Sequence, residues 1–389
     1  MSSFVSRRLA IVRDASRSGD EEAIGPDHER WGDWRWQSRR ALRSLDDLEA
    51  ALDLTDDERE GARRAMAEGF PIAITPHTLS LMDPADPACP IRRQFVPSAS
   101  EAVTIPGDLR DPLGEEDHEV APNLVCRYPD RALLLATDRC AVYCRFCTRS
   151  RMVGDGGGPR SMEKLDPAFA WLERNRQVRE VIVSGGDPLV MGTSRIARLL
   201  ERLGAMDWLD TIRIATRAPV TIPQRIDEEL CRVLRQSHPA VWVMTHFNHP
   251  RELSAASQRA CGMLVDHGLP VMNQAVLLRG VNDDADTLEA LFRGLVRWRV
   301  RPYYLLQADV VRGTGHLRTP ISTGIRIMEK LQGRLSGIAL PKLICDTPAG
   351  RGKVPIGPQT IVAQADGRTT LKTFRGEEVD YLDPPSAPD

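Results

Sequence analysis

The chain has 389 residues, 42% hydrophobic and 27% charged, with 52 basic and 54 acidic side chains and a formal net charge of -2. This is an ordinary globular composition, large enough for one big domain with extensions, and nothing in its charge points to nucleic acid or to a charged membrane surface as partner. No apolar run approaches the roughly 18 residues needed to cross a bilayer, and the arginines near the start precede no sustained apolar stretch, so no membrane span or signal peptide is expected and the cytoplasm is the expected compartment.

Residues 1–30 are polar and without period, which predicts a loose arm. The text LDDLEAALDLTDDEREGARRAMAEG, ending near Gly69, has apolar residues three and four apart and predicts helix. Residues 71–125 are rich in Pro, Asp and Gly and predict an ordered but irregular crossing segment. Short buried-strand runs then recur at Leu133–Ala136, Val181–Ser184, Ile212–Thr216, Val241–Thr245, Val271–Leu277 and Pro302–Leu306, each followed by a stretch of helical length. A repeat of about 30 residues is the length of a βα unit, and parallel strands need such crossovers. Six units predict an α/β fold, a partial (β/α)6 TIM-like barrel, with a doubly wound sheet as the alternative. The expected divisions are an N-terminal extension over 1–125, a barrel core over 126–320 and a C-terminal segment over 321–389.

Polar residues gather at the predicted C-terminal strand ends, the rim where parallel α/β folds bind ligands. They are Ser184-Gly185-Gly186-Asp187, Thr216-Arg217, Thr245-His246, Asn273-Gln274 and Gln307 with Asp309. Any one of these could merely cap a helix; five rims together predict a site. Above the first strand lies Cys140-Ala-Val-Tyr-Cys144-Arg-Phe-Cys147. The chain's eight cysteines come without a secretion signal, which favours thiols or metal ligands over disulfides. Three soft thiolates within one short loop suit iron–sulfur or zinc. Zinc asks for a fourth ligand, and no second Cys or His pair is evident. A cubane on three cysteines leaves one iron open for a ligand.

The C-x3-C-x2-C spacing, with Phe146 before the third Cys, resembles the radical S-adenosylmethionine superfamily. That resemblance implies a [4Fe–4S] cluster on Cys140, Cys144 and Cys147, with S-adenosylmethionine on the open iron. It also implies that the element Ser184-Gly185-Gly186-Asp187 holds the amino group of S-adenosylmethionine, and it makes the rim residues His246 and Gln274 candidates for cofactor binding. A longer series resembles lysine 2,3-aminomutases: the Trp-rich WGDWRWQ from Trp31, TPHTLSLMDPADPACPIRRQ, DPLGEE, RYPDRALLL, CRFCTRSR, SGGDPL, THFNHP, NQAVLLRGVND, RPYYLLQAD and DTPAGRGKVP. These occur in the family's order from about residue 31 to about residue 375.

By this second resemblance Lys353 is the pyridoxal 5′-phosphate (PLP) lysine, and Arg127 and Arg131 clamp its phosphate. Arg149 grips the substrate α-carboxylate, and Asp309 with Asp346 receives the distal ammonium of lysine. The implied activity is an isomerase that moves the α-amino group of L-lysine to the β-carbon, using a hydrogen-abstracting 5′-deoxyadenosyl radical and PLP. The implied partners are an amino acid substrate and an electron donor such as flavodoxin or ferredoxin, and a homo-oligomer is expected. The acidic pair disfavours glutamate as substrate; arginine remains a rival, and a non-catalytic cluster-binding protein or a zinc module are readings of another class. Two departures from the family stand out. Asp284 follows the VND motif where clostridial-type relatives have a zinc-binding Cys, and no cysteine follows Cys345, so no structural zinc is expected. The PLP loop has Ala349 and Arg351 where glycines are usual.

Overall fold

The computed structural model describes residues 25–153, 158–365 and 367–384; most of the polar arm expected over residues 1–30 lies outside them. The N-terminal layer holds helices α1 (Trp34–Arg39), α2 (Leu45–Ala51), α3 (Asp56–Ala67) and α4 (Pro76–Ser80). The stretch expected as one helix is thus two. Thr55 breaks it, its side chain accepting from the Glu58 amide while the Glu58 carboxylate accepts from the Thr55 amide, a capping box that starts α3 afresh. Trp36, Leu42, Leu48, Ile74, Ile91 and Phe95 form this layer's apolar core, which Val142 and Cys144 of the cysteine loop join. Beneath it the Arg92 guanidinium is fully buried on the Glu58 carboxylate and on the carbonyls of Asp53 and Pro84.

The segment 71–125 is irregular, as expected, and ends in an antiparallel lead-in of β1 (Glu119–Ala121) and β2 (Leu124–Tyr128). Then come β3 (Arg131–Thr137), α5 (Met162–Arg174), β4 (Glu180–Gly185), α6 (Thr193–Gly204), β5 (Thr211–Ala215), α7 (Ala218–Thr221), α8 (Glu228–Ser237), β6 (Val241–Thr245), α9 (Ala255–Asp266), β7 (Val271–Leu277), α10 (Ala285–Arg297), β8 (Arg301–Gln307), α11 (Ile321–Leu331), β9 (Lys342–Thr347) and β10 (Gly352–Pro355). Ten strands form one sheet in sequential order, parallel from β3 to β9 and antiparallel at both ends. The six strand–helix units expected from the sequence are therefore present. A further parallel strand, β9, carries the sheet past residue 320, where the core was expected to end.

Side-chain alternation shows how the sheet is used. Val181, Val183, Ile212, Ile214, Val241 and Val243 point outward into a core shared with Ile196, Leu199, Leu230, Leu234, Leu264 and Leu295 of the helices. The alternate residues Ile182, Ser184, Arg213, Ala215, Met244, Gln274 and Tyr304 line one cavity, which residues from β2 to β10 enclose. A sheet that surrounds a cavity with no pairing between its two edges is a partial barrel. Beyond it β11 (Ile361–Ala365), β12 (Arg368–Lys372) and β13 (Glu378–Leu382) form a separate antiparallel sheet, largely exposed. Among the described residues no helix is long and apolar enough to cross a membrane.

Candidate active site

The cysteine loop leaves β3 and is pinned from the N-terminal layer by backbone bonds: the Tyr143 amide donates to Ala73 O (2.9 Å) and the Arg145 amide to Gln94 O (2.8 Å). Its root rests on the glycines of the Ser184-Gly185-Gly186-Asp187 turn. A Cβ on Gly185, whose φ is +113°, would lie 2.1 Å from Thr137 O, and one on Gly186 would lie 2.3 Å from Arg139 O. The close approach these glycines allow is to the loop that bears the cysteines, a packing role added to the ligand role expected from sequence.

Cys140, Cys144 and Cys147 line one side of a cavity of about 280 Å³ together with Gly185, Gly186, Asp187, Arg217, His246 and Gln274. All three border this space, and among the described residues no three His, Cys, Asp or Glu side chains are set to hold a single metal ion. A four-iron cluster would be held by thiolates of this kind, and three of them would leave one iron free for a further ligand. Burial, reinforced by the neighbouring thiols, pushes Cys140 well above the usual thiol range and Cys147 up to about 11. Thiolates here need compensating positive charge. Buried Arg217 supplies some of it, donating from Nη1 to Cys144 Sγ at 2.8 Å while its other nitrogens are fixed on Gln94, Glu252 and His246 O; iron would supply the rest. The trio fits a cluster.

The other expected rim residues divide. Asp187 is buried and its carboxylate is committed to Thr216 Oγ1 (2.7 Å) and to the amides of Arg217 and Leu189, so it joins the ends of β4 and β5. His246 stacks at a tilt on Phe146 (5.5 Å) and contacts Asn248. Burial, then Arg217, holds it down to about 3, so it is neutral in the physiological range. Gln274 lines this cavity and its neighbour.

That neighbour is the larger chamber, about 440 Å³, and Leu113, Arg149, Ser184, Gln274 and Lys353 border both. Lys353 on β10 is the direct antiparallel partner of Asp346 on β9, so the register itself sets their side chains together, and the Lys353 ammonium contacts the Asp346 carboxylate. Asp346 also accepts from Arg127 Nη2 (2.9 Å), and the Lys353 amide donates to Tyr128 Oη (2.9 Å). Arg131 pairs with Asp130 and lies 3.8 Å above the Tyr128 ring. Lysine and both arginines therefore meet at one wall of a chamber of cofactor size, a donor set that fits PLP. Burial and then the Asp346 charge push Asp309 up to about 7. Arg149 places its Nε and Nη2 on the Glu115 carboxylate and its Nη1 on Ser184 Oγ (3.2 Å).

The two departures have structural counterparts. Asp284 caps α10, accepting from the Thr287 amide at 2.8 Å. Ala349 sits in the left-handed region at φ +60°, where a glycine carries no Cβ penalty. Sequence reading missed Glu115, Tyr128, Arg213 and the contact of Arg217 with Cys144. The first two lie inside the quoted motifs DPLGEE and RYPDRALLL, while Arg213 and Arg217 carry no local signal beyond their place on or just after β5.

Comparison with known proteins agrees with this geometry. The Radical SAM superfamily matches residues 134–291, and Lysine-2,3-aminomutase matches residues 328–388. An L-lysine 2,3-aminomutase of Fusobacterium nucleatum is 43% identical over 92% of this chain and 83% of that protein. One of Clostridium subterminale is 41% identical over 98% and 88%. A glutamate 2,3-aminomutase of Clostridioides difficile is 37% identical over 92% and 84%. The cysteine trio lies in the first matched segment and Lys353 in the second, and with relatives of this identity along nearly its whole length the chain belongs to the lysine 2,3-aminomutase family of the radical SAM superfamily.

Proposed function

We propose that this chain is a radical S-adenosylmethionine, PLP-dependent isomerase that moves the α-amino group of L-lysine to the β-carbon. Its cofactors are a [4Fe–4S] cluster, S-adenosylmethionine and PLP. The observation that carries lysine over glutamate is the polarity of the chambers, with a guanidinium, Arg149, on one wall and two buried carboxylates, Asp309 and Asp346, on another. Two carboxylates close together in an interior are unfavourable unless a cation joins them, and a basic substrate brings that cation.

In this reading Cys140, Cys144 and Cys147 hold the cluster, and the Ser184–Asp187 turn, His246 and Gln274 border the nucleotide. Lys353 carries PLP and Arg127 and Arg131 take its phosphate, guanidinium forks being matched to phosphate oxygens. When bound, the cluster and S-adenosylmethionine supply a hydrogen-abstracting carbon radical, and PLP supplies a conjugated ring that spreads the substrate radical. The protein's own part is orientation and exclusion of water. Arg149 fixes the carboxylate end and the aspartates fix the ammonium end, which aims the β-carbon. The two cationic partners of Asp346, Arg127 and Lys353, are the very groups assigned to the cofactor. Each one engaged there removes a counter-charge from Asp346, and the distal ammonium of the substrate is the replacement.

We further assign the chain to the cytoplasm, to a homo-oligomer and to a flavodoxin- or ferredoxin-like reductant. The test is anaerobic incubation of the reconstituted enzyme with lysine, arginine and glutamate separately, with chromatography of the products. β-Lysine is the expected product, and it should vanish in Lys353→Ala. A preference for glutamate overturns the reading of Asp309 and Asp346, and a preference for arginine overturns lysine alone.

A further inference from the structure

Glu115 is buried, its side chain 6% exposed, and two arginines share its carboxylate. Arg149 reaches it with Nε (2.9 Å) and Nη2 (2.7 Å) on Oε1, and Arg151 reaches Oε2 with Nη2 (3.2 Å). Arg151 is itself buried and also meets Asp111 (3.2 Å). The Nε–Nη2 edge of Arg149 is thereby committed. Its Nη1 turns instead toward Ser184 Oγ (3.2 Å) and Gly185 O (3.5 Å), a corner where the two chambers meet. An arginine with one edge locked presents the other as a rigid fork, which loses less freedom on binding a carboxylate than a mobile side chain does.

The loop that carries Glu115 also grips the Lys353 loop. The Ala349 amide donates to Pro112 O (3.0 Å), and Leu113 O accepts from Arg127 Nη1 (3.4 Å). The backbones are so close that a Cβ on Gly350 would lie 2.5 Å from Leu113 O and one on Gly114 would lie 2.9 Å from the Ala349 carbonyl carbon. One strap, residues 111–115, therefore spans from the cysteine loop to the loop of the catalytic lysine. We infer that Glu115 is a positioning residue: by holding one edge of Arg149 it presents the other to the α-carboxylate of the amino acid substrate, at a separation from Lys353 that the same strap sets. The charge count agrees. Arg149 and Arg151 face three carboxylates, Glu115, Asp111 and Glu116, the last 3.2 Å from Arg151 Nε, so this end of the site holds no surplus positive charge and recognises a carboxylate by directed hydrogen bonds.

The inference rests on the assignment of Arg149 to the substrate carboxylate, and the experiment separates the two. Dissociation constants for lysine and for lysinamide, which lacks the carboxylate, are read from the bound-pyridoxal absorbance of anaerobic holoenzyme without S-adenosylmethionine. Glu115→Gln keeps the shape and removes the charge. It should weaken lysine about tenfold, the worth of one charge-assisted hydrogen bond, and leave the dissociation constant of lysinamide unchanged. Glu115→Asp, which retains the charge, should recover part of the loss, and Glu115→Gln added to Arg149→Gln should do no further harm. Equal weakening of both ligands would reduce Glu115 to a packing role, and tighter lysine binding would make it a competitor of the substrate; either overturns the inference. If Arg149→Gln itself keeps the preference for lysine over lysinamide, the assignment of Arg149 falls, and the inference with it.

Discussion

If Asp309 and Asp346 receive the distal ammonium, binding of a basic ligand must expel a proton near neutral pH. Burial, followed by the charge of Asp346, lifts Asp309 from 3.8 to about 7. At about 1.4 kcal/mol per pH unit this is about 4 kcal/mol carried against the ionised form. The sign is fixed by linkage. A carboxyl whose folded value is raised favours the fold most below pH 3.8 and loses that contribution as pH climbs through about 7. A cation placed beside the ionised carboxylate reverses the balance, so ligand binding takes the proton off. The probe of choice is 6-aminohexanoate, which has the carboxylate and the distal ammonium but no α-amine and does not itself titrate in this window. Its affinity should fall about tenfold per pH unit below pH 7 and level off above it. Calorimetry in buffers of different ionisation enthalpy should count about one proton released near pH 6 and almost none at about pH 8.5. His246, held down to about 3, does not confuse this range. In Asp346→Asn the bend should move to lower pH and stay above 3.8, because burial, the larger cause, remains. An affinity that is flat from about pH 5.5 to 8.5 with no proton release would refute the placement of the ammonium on this pair.

Two further outcomes test the scaffold. Gly185→Ala puts a Cβ 2.1 Å from Thr137 O at a φ of +113°, so the cysteine loop must shift, and reconstituted protein should carry well under half the wild-type iron by colorimetric assay while keeping its far-UV circular dichroism. Glu58→Ala leaves the Arg92 guanidinium, 0% exposed, buried without its carboxylate. Breaking such a pair costs about 3–5 kcal/mol, to be read as a lower urea midpoint, and an unchanged midpoint would show that the two carbonyls suffice to hold Arg92.

Where local pattern and chemistry coincide, the sequence is transparent. The six strand runs from Leu133 to Leu306 lie within observed strands or reach one residue past them, because the helix-facing side of the barrel wall sets Val, Ile or Leu at alternate positions, as at Val181 and Val183 or Ile212 and Ile214. The thiol trio needs no fold to be seen, since its residues are neighbours in the chain. The break between α2 and α3 was hidden because Thr55 and Glu58 look like ordinary members of a helical pattern until one of them turns back to cap the other. Strand β9 lay outside the rhythm because only Leu343 and Ile344 of its six residues are buried, while Cys345, Asp346 and Thr347 are half-buried and Asp346 lines the site.

The contacts that decide orientation are the least legible. Lys353 and Asp346 are seven residues apart, and nothing in that spacing announces partnership; the antiparallel register of β9 and β10 creates it. Glu115 and Arg149 are 34 apart and meet through two loops without repeating structure. Both pairs neutralise a charge that a bound molecule would otherwise have to meet alone. Asp346 has Arg127 and Lys353 beside it, and Arg149 has Glu115. A chamber built from opposed charges stays folded in the absence of its ligands when each charge has such an internal partner or, like Asp309, takes up a proton. The difference lies in what binding removes. At the ammonium end the partners are those assigned to the cofactor, so loading leaves a carboxylate in need of a cation. At the carboxylate end Glu115 is assigned to no cofactor, so Arg149 keeps its anchor and the grip there stays rigid. On this account an amino acid with one carboxylate and a distal ammonium is the shape that both ends demand together.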